Sequence, residues 1–145
     1  FADQNGLVWF EAVAGTGEAA QSVIALVQQM GWRIKPLMRN HPIMDGQMAG
    51  AVGYDVTRGV KFRPALRRDR MGRFYAYLMG VYEGEELVGV FSPYDVVFST
   101  ANVAAGGCRG YAPGDARAVG TNILLYLTTK LPSGETADAQ VFHSP

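Results

Sequence analysis

Several things are scarce in this chain. There is one cysteine among 145 residues, Cys108. A disulfide within the chain is excluded, and so is a metal site built from clustered cysteines. There are two histidines, His41 and His143, so one chain cannot supply a site that needs three. There is no net charge, because 13 Lys and Arg balance 13 Asp and Glu. A domain that holds nucleic acid mainly through its overall field is therefore not expected. Long apolar runs are missing too. Stretches such as Ile123–Leu127 fall far short of the roughly 20 residues of a spanning helix. No signal-peptide pattern opens the chain, since Asp3 comes almost at once, and the missing initiator Met reads as a domain cut from a longer protein.

What remains is ordinary for a globular domain, except for glycine. Hydrophobic residues make up 48% of the chain, which also has 18 glycines. The length suits one core. Residues 1–130 read as a single α/β domain and 131–145, which lack periodicity, as a tail or linker.

Leu7–Val13 (LVWFEAV) reads as a buried strand. Ala14-Gly15-Thr16-Gly17 then makes a strand-to-helix turn, with Thr16 as N-cap and Glu18 in the first helical turn. Ala20, Val23, Ile24, Val27 and Met30 share one helical face, and Gly31 stands where a glycine ends a helix. Trp32–Leu37 returns as a strand, which completes a βαβ unit with parallel strands. Residues 38–59 show no clear period and read as a long loop. Val60–Leu66 reads as an edge strand because of Pro64. Phe74–Tyr82 and Leu87–Ser92 read as a hairpin around Glu83–Glu86, and a second glycine-rich loop runs from Ser99 to Gly110. Pro113 opens the last helix, whose apolar face carries Ala116, Val119, Gly120, Ile123, Leu124 and Leu127.

Taken in order, the landmarks are Val13–Gly17, Asn40-His41-Pro42-Ile43, the basic segment Val60–Arg73, Gly80-Val81, Val90-Phe91-Ser92-Pro93-Tyr94-Asp95, Gly110-Tyr111 and Asn122–Tyr126. Over roughly residues 5–130 this string resembles a bacterial domain-of-unknown-function family. The resemblance implies a flavodoxin-like three-layer α/β sandwich, related to the class I glutamine amidotransferase-like folds, with a mixed, mainly parallel sheet that includes one hairpin. It implies no reaction. It also implies a place within larger, membrane-associated or exported proteins, on the exported or periplasmic side.

The candidate chemistry is spread along the chain. Gly106-Gly107-Cys108-Arg109-Gly110 matches the G-x-C-x-G elbow of glutamine amidotransferases, in which a sharp turn exposes a thiol beside backbone N–H groups. No apolar strand enters it, and His143 is followed by Ser144 and Pro145 rather than by an acid. Ser92 and Asp95 end a strand, where α/β sheets bind ligands; an Asx turn is the structural alternative for Asp95. His41 sits in a loop as a ligand or base, or as a backbone-bonding residue. Ala14–Gly17 resembles a phosphate-binding turn but lacks the full glycine patterns. Arg109 and Tyr111 precede the last helix, where an anion could be held. Asn122 is a polar residue on that helix, read as a cap for loop backbone.

The strongest charge asymmetry is Arg58, Lys61, Arg63, Arg67, Arg68, Arg70 and Arg73, offset only by Asp69. It suits an acidic partner, an anionic surface or a solvated edge strand, and no nucleic-acid motif accompanies it. Two readings follow. The first is a non-catalytic interaction or ligand-sensing module, with a rim of His41, Ser92, Asp95, Arg109 and Tyr111 beside the basic surface. Its partners are proteins or other domains of its own full-length chain; no metal or cofactor is expected. The second is an amidotransferase-like or hydrolase-type enzyme that uses Cys108 or Ser92 with His41.

Overall fold

The computed structural model describes residues 6–101 and 106–130. The expected tail at 131–145, His143 and part of the second glycine-rich loop lie outside the described residues.

Strand β1 is Val8–Glu11. A 3₁₀ turn, Val13–Gly15, leads into helix α1, Gly17–Gln29. Thr16 caps the helix as expected, its hydroxyl accepting from the Ala19 N–H at 3.2 Å. Strand β2 is Arg33–Pro36. The expected loop 38–59 holds more order than its sequence suggests. Helix α2 (Pro42–Asp45) and the hairpin strands β3 (Gln47–Met48) and β4 (Ala51–Val52) lie within it. Each is too short to leave a period in the sequence.

The expected edge strand Val60–Leu66 is corrected. Only Phe62 forms a bridge, antiparallel to Tyr111, and Pro64–Arg67 is helix α3. Pro64 occupies the first turn, where its missing N–H costs nothing. The hairpin is present but shorter than expected, with β5 at Met79–Glu83 and β6 at Glu86–Ser92. Helix α4 is Pro113–Lys130.

These strands form a mixed α/β arrangement around a four-stranded sheet in the order β1-β6-β5-β2. The expectation of a mainly parallel sheet is also corrected. β1 pairs with β6 in parallel, while β6–β5 and β5–β2 are antiparallel. The reason is insertion. β1 and β2 do point the same way, but the β5–β6 hairpin lies between them and takes their pairing edges.

Side chains alternate across the sheet and fill two cores. Trp9, Leu87 and Val90 join the core of α2 and α4, with Ala116, Val119 and Ile123. Phe10, Val88 and Phe91 join the core of α1, with Val23 and Val27. Along β6 the faces change phase between Val88 and Val90. The register explains this, because Val81 pairs with Gly89 but Tyr82 pairs with Leu87, leaving Val88 as a bulge residue. Gly89 follows the bulge, where a β-carbon would lie 2.7 Å from the Val8 carbonyl oxygen, so a glycine there lets β1 and β6 approach.

Candidate functional site

β1 and β6 end together, with Glu11 opposite Ser92. This is the carboxyl end of the parallel pair, where open α/β sheets place ligands. The loops that follow meet there. Asp95 bridges to Gly110, its N–H donating to the Arg109 carbonyl at 3.1 Å, and the Arg109 N–H donates to the Ala14 carbonyl at 2.9 Å. Ala14 adopts a left-handed backbone, φ 55°, and Gly15 follows at φ 62°. A β-carbon on Gly15 would overlap the Arg109 carbonyl oxygen, so both conformation and space require glycine there.

Most polar side chains at this end are consumed by the fold. Asp95 is buried. Its Oδ2 accepts from the Ala14 N–H at 3.0 Å and its Oδ1 from the Ser99 N–H at 2.7 Å. The Ser92 hydroxyl donates to the Tyr94 carbonyl. Tyr111 is fully buried, its hydroxyl accepting from the Tyr77 N–H and donating to the Tyr77 carbonyl. Burial raises its phenol far above the ordinary range. Arg109 leaves the cluster and pairs with Asp69 at 2.7 Å. In the Ala14–Gly17 turn, the Ala14 and Gly15 N–H groups already have protein acceptors, Asp95 and Ala12. The turn therefore does not offer those donors to a phosphate.

Glu11 belongs to this cluster, and sequence reasoning passed over it. Its Oε1 accepts from the N–H groups of Val96 and Val97 at 2.8 and 2.9 Å, while Oε2 is buried without a partner among the described residues. Burial is the main cause that raises its carboxyl above the ordinary value, against the two N–H bonds that lower it. The available signal was an acid at the end of an otherwise apolar strand. Arg63 was also misplaced by the charge pattern. It is 9% exposed, and its guanidinium donates to the Ser99 hydroxyl and the Ala101 carbonyl.

Cys108 is 4% exposed, 3.8 Å from the Ser99 hydroxyl. Burial pushes its thiol up, away from a reactive thiolate. His41 lies elsewhere. Its Nδ1 accepts from the Ile43 N–H, capping α2, and its ring packs 5.2 Å from that of Tyr126. Tyr126 lines a hollow with Leu7 and Glu86, at the amino ends of β1 and β6. His41 is thus at the opposite end of the sheet from Ser92 and Cys108. Burial lowers its pKa, with Asp45 opposing and Lys130 reinforcing the shift. The expected rim is therefore only partly assembled: Ser92, Asp95 and Tyr111 meet with the backbone of Arg109, whose side chain turns away to Asp69, and His41 does not join them.

Asn122 plays the structural part its position suggested. Its Oδ1 accepts from the Tyr54 N–H at 2.8 Å, and its Nδ2 donates to the carbonyls of Ile43 and Tyr54. It pins the 38–59 segment onto α4.

The basic segment divides in two. Arg63 and Arg70 are buried, Arg58 pairs with Asp55 at 2.8 Å, and Lys61, Arg67, Arg68 and Arg73 are exposed. Among the described residues, no carboxylate lies within ion-pair distance of Lys61, Arg67, Arg68, Arg70 or Arg73. Between them is a cavity of about 530 Å³, formed entirely within Val60–Phe74. Phe62, Met71 and Phe74 are among its apolar walls; Lys61, Arg67 and Arg68 are its exposed cations, and the buried Arg70 lines it as well.

Among the described residues, no group of three or more His, Cys, Asp or Glu is placed to hold a metal ion, and no helix is long and apolar enough to cross a membrane. No protein-family model, curated protein or solved structure matches the chain.

Proposed function

We propose that this domain is a non-catalytic interaction or ligand-sensing module of a larger bacterial protein, and that it binds through the basic cavity at Val60–Phe74. One observation carries the reading. Apart from Glu11 Oε2, the polar side chains at the carboxyl end of the sheet have partners within the fold, whereas the cations around the apolar cavity have no carboxylate partners among the described residues. Two sets of unspent interactions, apolar walls and cations, coincide at one concave place, which is the usual composition of a binding site. The flavodoxin-like three-layer arrangement belongs to the same proposal. It is supported by helices α1 and α4 packing in the separate cores on the two faces of the sheet.

The test is a thermal-shift screen with small anionic, neutral and cationic compounds. Stabilising compounds should be mostly anionic. They should lose their effect in a Lys61→Glu/Arg67→Glu/Arg68→Glu variant and keep it in Cys108→Ser. Compounds that stabilise the triple variant equally well, or that lose their effect only in Cys108→Ser, would overturn the reading.

A further inference from the structure

The cavity has a second charged layer behind its rim. Arg70 lines it yet is only 4% exposed. Its guanidinium carbon lies 5.2, 4.9, 5.5 and 5.7 Å from the ring centroids of Phe62, Tyr75, Tyr77 and Tyr94. One Nη2–H donates to the Tyr75 carbonyl at 2.9 Å, and the Nε–H is buried without an acceptor among the described residues. Aromatic faces offset part of the cost of burying this cation. They carry no formal negative charge, and no carboxylate among the described residues supplies one. A buried cation without a counter-ion leaves a positive potential in the wall of the cavity, where low polarisability makes it felt strongly.

We infer that the cavity binds a small amphipathic carboxylate: one anionic group held by Arg67, Arg68 and Lys61 over the field of Arg70, with an apolar body against Phe62, Met71 and Phe74. The inference rests on the reading of this cavity as the binding surface and adds the class of ligand. Size supports it, since about 530 Å³ lies within the span of small-molecule sites. Most of the surface that lines the cavity is apolar, which supports a ligand with an apolar body and its charge confined to one end. Met71 and Phe74 are 81% and 61% exposed, and they are the apolar surface that such a ligand would take out of water.

The experiment is calorimetric titration with decanoate below its micellar concentration, beside decanol and acetate. Amide shifts are followed by NMR, and the same titrations are run on Arg67→Gln/Arg68→Gln. Both of those side chains are exposed, so the variant should keep its fold, which its circular dichroism checks. Decanoate should bind and shift Phe62, Met71 and Phe74. Decanol should bind at least about tenfold more weakly, because charge-assisted hydrogen bonds are lost, and acetate should not bind. The double variant should lose about tenfold for decanoate and little for decanol. Equal binding of decanoate and decanol would overturn the inference. So would binding only to anionic phosphatidylglycerol vesicles, or only to an acidic peptide, at this surface; either result would leave the cavity standing as an interaction site. If no probe shifts these residues, both the inference and the reading beneath it fail.

Discussion

Replacing Asp95 with Asn tests whether the carboxyl end of the sheet is built for stability rather than chemistry. Asp95 presents two oxygens to two backbone N–H groups, those of Ala14 and Ser99. Asn presents one oxygen and one NH₂. One of the two N–H groups must then face a donor. A hydrogen bond to a charged acceptor contributes about 1.5–3 kcal/mol, and a buried donor left without a partner costs about 1–3 kcal/mol. Together the change should cost about 3–5 kcal/mol. That is a large part of the roughly 5–15 kcal/mol by which a domain is stable. At about 2–4 °C per kcal/mol for chains near this size, Tm should fall by roughly 10 °C. Urea and thermal denaturation followed by circular dichroism give both quantities. Asp95→Ala should be comparably damaging, since it leaves both N–H groups unpaired. A change in stability of less than about 0.5 kcal/mol in Asp95→Asn would refute a structural role for the carboxylate and leave it free for a ligand.

Other outcomes follow from the same contacts. Asn122→Ala removes one acceptor and two donor contacts from loop backbone. It should cost about 3–5 kcal/mol in urea denaturation and speed hydrogen exchange at Tyr54; a cost under about 1 kcal/mol would contradict the pinning role. Glu11 has its carboxyl raised above the ordinary 4.5, so the folded state holds its proton more tightly than the unfolded state. As pH rises from 4.5 through the raised folded value, the wild type should lose stability relative to Glu11→Gln, and the gap should then stay constant. A wild type that gains stability relative to Glu11→Gln over that range would reverse the assigned cause. Cys108, buried with its thiol pushed up, should react with iodoacetamide at least about tenfold more slowly than in the urea-unfolded chain. Equal rates would mean that the thiol is accessible in the folded domain.

The long periodic elements were legible in the sequence. Thr16, Glu18 and Gly31 marked the ends of α1, and Ala116–Leu127 marked the face of α4, because helices longer than three turns leave a period and caps leave signatures. The short elements were not. Pro42 and Gly46 enclose a one-turn helix that no window detects, and Pro64 reads equally as a breaker of a strand or the start of a helix. Strand pairing was also out of reach. Nothing local to β1 and β2 says that a distant hairpin will lie between them. At the candidate site, Asp95, Ser92, Arg109 and Tyr111 were found from their place after a strand and before a helix. His41 was grouped with them because a chain position gives no indication of which end of the sheet it reaches. Charge pattern alone ranked Arg63 and Arg70 with the exposed cations. Their burial depends on Ser99, Phe62, Tyr75, Tyr77 and Tyr94 converging from other segments.

Where this domain binds is read from backbone amide shift mapping during titration with a mixture of small anionic and aromatic fragments. Shifts should concentrate at Val60–Phe74, with Ala14, Ser92, Asp95 and Cys108 unmoved. Shifts concentrated at those four residues, with Val60–Phe74 silent, would contradict binding at the basic cavity.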